Sequence, residues 1–403
     1  MIYKHTLYSL LIFCLCFTFP EYCYNQVKHK QNDRPDIINF SSIVNVKKDL
    51  KLSQMVKDVK YISLQTKQDC LIGDIDVLKV SSDRIFLISR SIVYCFMMDG
   101  SFYKKIGNRG NGPGEYIKPR DLTINEDTQS VYILDSSTKL IYEYSFSGNY
   151  KQSIKLPDNG HSWQIEKFGN DLIVVNQILP PINYQLYQVN KKGKLVYPFL
   201  IMSELKGSSL YPFGFDYASF KPEGNFLLFT SAWNDTLFLI KNNNKPKPVY
   251  IVNYGKFKYP LNTKVGSLIN QPIKSNFIFQ YWKAITDRYL LFQYQYHSQM
   301  LLAVYDFEID AFIYNGDIED GINPGIGNDI DGGPGIQKIY QYKVNNGNTL
   351  VKSFMAMDII ELYKQSLNEN LSFSHPQKRN DFIELAKNLN ENDNPVLQLL
   401  TLK

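Results

Sequence analysis

The chain has 403 residues, with 44 Lys and Arg against 39 Asp and Glu and a formal net charge of +5. So mild a basic balance carries no nucleic-acid footprint, and no nucleic-acid partner is expected. Its 5 Cys are too few for a disulfide framework, which a chain of this length does not need, while 29 Tyr and 25 Phe favour strands that bury one face.

At the N-terminus Lys4 and His5 precede an uncharged run from Leu7 to Phe19, which Pro20 and Glu21 end. A charged start followed by a short apolar core is a secretory signal pattern, and the run falls short of the roughly 20 residues that a membrane-spanning helix needs. Residues 1–23 are therefore expected to be a leader, and the protein to be exported to the periplasm or cell surface. Cys14, Cys16 and Cys23 each raise a lipoprotein anchor, the only membrane attachment the sequence suggests. None follows a small residue, because Phe13, Leu15 and Tyr22 stand before them, so the lipid signal is poor. Cys70 and Cys95 remain in the mature chain and read as small core residues. Residues 24–50 are polar, carry Lys28, Lys30, Lys47 and Lys48, and read as a tether leading into a single domain over 51–403.

Val59 to Leu64 alternates apolar and polar and is the first clear strand. Four short runs follow, Leu71 to Ile75, Arg84 to Ile88, Ile92 to Phe96 and Phe102 to Ile106. The next stretch opens on Gly110-Asn111-Gly112-Pro113-Gly114-Glu115-Tyr116, whose glycines and proline suit a tight turn. It continues in four apolar runs, Leu122 to Ile124, Val131 to Leu134, Ile141 to Phe146 and Tyr150 to Leu156, with turn residues between them. Four strands joined by hairpins in so short a span form a propeller blade. The marker that recurs is the second strand, an apolar run entered from a polar turn. It stands at Asp83 to Leu87, Ser130 to Leu134, Asp171 to Val175, Asn225 to Phe229, Asp287 to Leu291 and Asn348 to Val351. The fold class is therefore all-β, a six-bladed β-propeller of four-stranded antiparallel blades. Ring closure needs a clasp, and Val59 to Leu64 is expected to complete the last blade by pairing near Phe354 to Ile360. Phe382, Leu385, Ala386 and Leu389 share one face of a short C-terminal helix, and Val396 to Leu402 reads as a last strand covering an edge.

The blade from Gly107 to Leu156 resembles the NHL repeat. Together with the leader, the Val59 to Leu64 strand and the closing Asp393-Asn394-Pro395-Val396-Leu397, it is similar to the six-bladed β-propeller proteins that Bacteroides-type bacteria export, often as lipoproteins. The resemblance implies an extracytoplasmic propeller and no particular activity, since the NHL-like group holds enzymes and binding scaffolds alike.

The closely spaced glycines of residues 107–114 are no phosphate cradle, because no helix follows and no Lys-Ser/Thr pair closes the loop. Asn328-Asp329-Ile330-Asp331-Gly332 begins like a calcium loop, but Tyr340 stands where the bidentate Glu is required. No cofactor is expected, with calcium the one ion for which this loop keeps a looser site. His161, His297 and His375 are scattered outside any zinc spacing, and no Gly-x-Ser-x-Gly elbow exists.

The functional expectation is positional. Residues at the start of each blade's innermost strand converge on the axial channel: Asp74, Arg120 with Asp121, Trp163 with Gln164, Asp216 with Tyr217, Tyr281 with Trp282, and Asp329 in the last blade. The expected ligand-binding set is Arg120, Asp121, Trp163, Asp216, Tyr217, Tyr281 and Trp282. Rings interleaved with carboxylates and an arginine suit a small molecule or glycan, and the same face could hold a peptide or partner protein. No catalytic residue is singled out, and a binding or scaffold protein is the leading expectation. The rival is a hydrolase or lactonase with a divalent ion on the axis, held by Asp74, Asp121, Asp216 and Asp329. The leader generates the first prediction: mass spectrometry of the mature protein is expected to find the N-terminus beyond the Leu7 to Phe19 run, and an intact Met1 would refute export.

Overall fold

A computed structural model of the chain describes residues 34–157, 160–176, 184–201, 218–223, 226–231, 234–241, 244–258, 276–318, 325–345, 347–367 and 372–403. The expected leader lies outside them. Six small antiparallel sheets form a ring, and each begins with its innermost strand. Blade 1 comprises β3 (Val77–Val80), β4 (Arg84–Ser89), β5 (Ile92–Met97) and β6 (Phe102–Lys105). Blade 2 is β7 (Pro119–Asn125), β8 (Ser130–Asp135), β9 (Leu140–Ser145) and β10 (Tyr150–Lys155). Blade 3 is β11 (Ser162–Phe168), β12 (Asp171–Asn176), β13 (Tyr184–Val189) and β14 (Leu195–Ile201). Blade 4 is β15 (Ala218–Glu223), β16 (Phe226–Ser231), β17 (Thr236–Lys241) and β18 (Lys247–Val252). Blade 5 is β19 (Phe279–Ile285), β20 (Tyr289–Tyr296), β21 (Gln299–Asp306) and β22 (Ala311–Asp317). Every second-strand marker falls on the second strand of its blade.

Those second strands are nearly all apolar because both of their faces are covered. The core lies between neighbouring blades. Phe86, Val93 and Cys95 of blade 1, for example, pack on Leu122, Ile133 and Tyr144 of blade 2. Cys70 and Cys95 are buried and free. The glycine-rich loop carries the chain from β6 to β7. Gly114 has a φ of +76°, and a Cβ there would meet the Tyr150 ring, so both backbone and space require glycine. Tyr116, 1 % exposed, accepts from Val93 N–H (3.1 Å) and donates to Ile106 O (3.0 Å), fixing the loop to blade 1.

Four expectations are corrected. The innermost strand of blade 1 is Val77–Val80 rather than Leu71 to Ile75, which forms no strand. The clasp is β2 (Val56–Ser63), and it closes the last blade through a different partner. Blade 6 has the order β2-β25-β24-β23, where β25 is Val396–Leu402, β24 Thr349–Phe354 and β23 Lys343–Asn345. The C-terminal strand is thus an interior strand, not an edge cover, and residues 356–366 form a helix, α2 (Ala356–Ser366), instead of pairing with the clasp. A second helix, α3 (Pro376–Asn388), carries the expected apolar face and buries Phe382 and Ala386. Residues 34–50, read as part of a tether, are built into the ring. β1 (Asp36–Ile38) pairs in parallel with β18 as a fifth strand of blade 4, and Phe40 packs edge-on against Phe292, Tyr294 and Phe312 of blade 5. The parallel pairing and the aromatic anchor leave no periodic signal in a lysine-bearing segment.

One side chain of the closing segment makes three bonds to the chain leading into blade 1. Asn394, 2 % exposed, accepts from Ile72 N–H (2.8 Å) and donates to the carbonyls of Gln65 (2.8 Å) and Cys70 (2.6 Å). Replacing Asn394 by Ala leaves the Ile72 N–H and the Cys70 carbonyl unmatched, and a loss of about 2–4 kcal/mol in denaturant unfolding is expected. A variant as stable as the parent would show that the seam does not depend on it.

Candidate functional site

The innermost strands β3, β7, β11, β15, β19 and β23 surround an axial cavity of about 400 Å³. An innermost strand pairs on one side only, so its other backbone edge faces the channel and needs partners. Side chains of the preceding blade supply them. Asp121 Oδ2 accepts from Ile165 N–H (2.8 Å), and Thr123 Oγ1 accepts from Lys167 N–H (3.3 Å). Gln164 brackets Ala218, accepting from its N–H (2.7 Å) and donating to its carbonyl (3.2 Å), and Ser219 Oγ accepts from Ile285 N–H (3.0 Å). Asp121 and Gln164, expected as ligand groups, therefore hold neighbouring blades.

Between blades 1, 2 and 3 the channel wall carries an ion network. Lys79 Nζ donates to Glu166 Oε2 at 2.7 Å, and Thr123 Oγ1 donates to Glu166 Oε1 at 2.8 Å. Burial pushes the Asp121 carboxyl up to about 6, against the pull of Lys79. Lys343, from blade 6, lines the same cavity and is held below the usual lysine range by burial, with Lys79 and Arg120 adding repulsion.

Above the channel the strands open with β-bulges. The registers of β7, β11 and β19 each shift by one residue near the start, at Arg120, Trp163 and Tyr281. A bulge turns its extra side chain out of the strand's alternation. Arg120 and Trp163 meet, with the guanidinium stacked over the indole. Asp76, whose carboxyl is raised by burial, feels the Arg120 charge and that of Asp74. Tyr281 and Trp282 line a second, larger cavity of about 840 Å³ with Asp74 and Asp76, on the side where blades 5, 6 and 1 meet. Trp282 and Lys343 belong to both cavities and form the wall between them. Both tryptophans are half-buried.

The sequence-selected residues thus fall into two groups. Arg120 with Trp163 and Tyr281 with Trp282 form separate pairs, and Asp74 lines the larger cavity with the second. Asp216 and Tyr217 lie outside the described residues. Asp329 does not line the channel: its two oxygens accept from Ser53 N–H (2.8 Å) and Ser53 Oγ (2.6 Å). Asp331 accepts from Gly333 N–H (2.8 Å) and Asn328 Nδ2 (2.6 Å), so both carboxylates of the calcium-like loop hold protein donors. Among the described residues no group of three His, Cys, Asp or Glu side chains stands together as a metal site.

Sequence reasoning missed Lys343, Lys352 and Gln293. The larger cavity exists because β23 is only three residues long and pairs with β24 no further than Val351. Lys352, Ser353 and Phe354 continue β24 past the end of that cover and line the cavity directly. Gln293, 1 % exposed and opposite Trp282 in the sheet, also lines it, with Oε1 lacking a partner. The signal available was a second strand longer than its first.

The Asp121 carboxyl generates a pH prediction. Its folded pKa of about 6 lies above the ordinary aspartate value of 3.8, so between these values the native protein holds a proton that the unfolded chain has released. Its contribution to stability is therefore present at low pH and lost as pH rises through that window. Asp121→Asn keeps an acceptor for Ile165 N–H and is expected to flatten this part of the stability-pH curve. Parallel curves for the two proteins in denaturant melts would refute the assignment.

Comparison with known proteins bears on the fold. A protein of Bacteroides fragilis whose name describes it as exported superposes with a TM-score of 0.66 at 17% identity, over 91% of this chain and 99% of that one. A member of the DUF4221 family from Bacteroides vulgatus gives 0.49 at 10% identity, over 86% and 97%. The virginiamycin B lyase of Staphylococcus aureus gives 0.42 at 12% identity, over 85% and 99%. At such identities the first likeness is one of fold, and the other two are too distant to carry an argument. No curated protein matches the chain. No helix among the described residues is long and apolar enough to cross a membrane. The model of the family described as a domain of unknown function, DUF4934, matches residues 35–401, nearly the whole ring from β1 to β25, and the chain belongs to that family.

Proposed function

We propose that the protein is an exported binding protein that takes a saccharide in the cavity where blades 5, 6 and 1 meet. The observation that carries this reading is the lining of that cavity. Trp282, Tyr281 and Phe354 offer ring faces, and Asp74, Asp76 and Gln293 offer hydrogen-bonding groups between them. Sugar rings present apolar C–H faces and a rim of hydroxyls, so aromatic walls with interspersed acceptors match both. A volume of about 840 Å³ accommodates an oligosaccharide segment rather than one hexose. The unmatched Gln293 Oε1 is a further acceptor at the wall, where a buried polar atom without a partner calls for one. Export, with the leader removed and the propeller built of NHL-like blades, puts such a site where extracellular glycans are met.

The test is a glycan array probed with the mature protein, followed by the same measurement on Trp282→Ala. Loss of the indole is expected to weaken binding about tenfold or more. The melting temperature should move by only about 2–4 °C, because Trp282 is half-buried at a cavity wall. Binding that survives the substitution, or an array without a single bound saccharide, would overturn this reading.

A further inference from the structure

Among the described residues three lysines are more than nine-tenths buried, and two of them are satisfied by a neighbouring blade. Lys221, 2 % exposed, is paired with Asp287 at 3.1 Å. Lys283, also 2 % exposed, donates to the carbonyls of Ser231 (3.0 Å) and Asn234 (2.5 Å). Lys352 is different. It is 8 % exposed and lines the larger cavity, yet no carboxylate or carbonyl of the described residues lies within reach of its ammonium, which rests against the rings of Phe354 (4.4 Å) and Tyr342 (5.4 Å). A buried charge without an ion partner is costly, and rings replace only part of the lost hydration.

The charged groups around it do not supply the missing partner. Burial first, and then the like charge of Lys338, lower the Lys352 amine to about 8. Asp358 opposes that shift, but it is exposed and stands in the first turn of α2, where the helix end already favours its charge. Lys343 adds a second amine to the same cavity. Asp74 and Asp76 line the cavity too, and the cation acting on Asp76 is Arg120.

We propose that Lys352, with Lys343 on the same cavity wall, receives an anionic group of the ligand, so that the ligand is an acidic saccharide of the uronate type. The proposal rests on the reading of this cavity as a saccharide site and specifies its chemistry. A neutral sugar closing over Lys352 removes the remaining water from an unpaired ammonium. A sugar carboxylate replaces that water with a charge-assisted hydrogen bond while the ring lies on Trp282 or Tyr281. The carboxylates Asp74 and Asp76 are left for hydroxyl groups.

The test is amine-selective acylation of the mature protein at a pH near 8, read lysine by lysine by mass spectrometry, with tetragalacturonate and its methyl ester as probes. The two differ in charge at the carboxyl. The acid form is expected to slow acylation of Lys352 about tenfold, the methyl ester to leave it unchanged, and Lys352→Met, which keeps chain length and packing, to lose the preference for the acid form in direct binding. Equal protection by both probes overturns the anion assignment and leaves the saccharide site standing. Protection by neither overturns it as well, and the glycan array then decides the saccharide reading separately. A Lys352 that resists acylation altogether is closed to any ligand and also refutes the proposal.

Discussion

Each innermost strand of the ring has one backbone edge with no strand to pair with, and the channel is built around that need. In sheets of the usual kind such an edge is left to water or covered by another element. Here Asp121, Thr123, Gln164 and Ser219 reach across to the next blade and accept from Ile165, Lys167, Ala218 and Ile285. The short polar side chains that do this are obliged to face the axis. A polar channel follows from the architecture before any ligand is considered, and the network of Lys79, Glu166 and Thr123 neutralises the charges it collects. Convergence of polar residues on a propeller axis is for that reason weak evidence of a binding site, and the position of side chains relative to strand ends is stronger.

That same constraint explains what was legible in the sequence. Second strands such as β8 and β20 bury both faces between blades, so their continuous apolar runs stand out against the turns before them. Innermost strands mix channel-facing polar residues with core-facing apolar ones and lose contrast. Val77–Val80 holds a lysine at its centre, and the three residues of β23 include Lys343 and Asn345, so neither could compete with nearby apolar segments. Blade 6 was the least legible, because it is assembled from both ends of the chain. Val59 to Leu64 was readable as a clasp from its alternation, and the strand itself is Val56–Ser63. Its partner was not, since Val396–Leu402 pairs with Thr349–Phe354 across two intervening helices. Arg120, Trp163, Tyr281 and Trp282 were picked out by position, and the bulges at three of them leave no mark on the alternation.

The placement of the larger cavity follows from how the ring is closed. In blades 2 and 3 the first strand spans the second from end to end, so nothing of the second strand reaches the axis. Blade 6 must instead accommodate the arriving β25 and the clasp β2, and its second strand is extended to pair with β25 as far as Phe354. Its first strand pairs no further than Val351, three residues short. The uncovered end of β24 turns a closing device into a cavity wall. A lysine at that position would be covered in any other blade, but Lys352 lies buried beside open space. The same seam that the clasp must hold shut is thus where the ring has room for a ligand, and a molecule seated there would touch blades 5, 6 and 1 together. Binding at this place should couple to closure, because the residues it contacts on β24 are hydrogen-bonded on their other side to β25 and through it to β2.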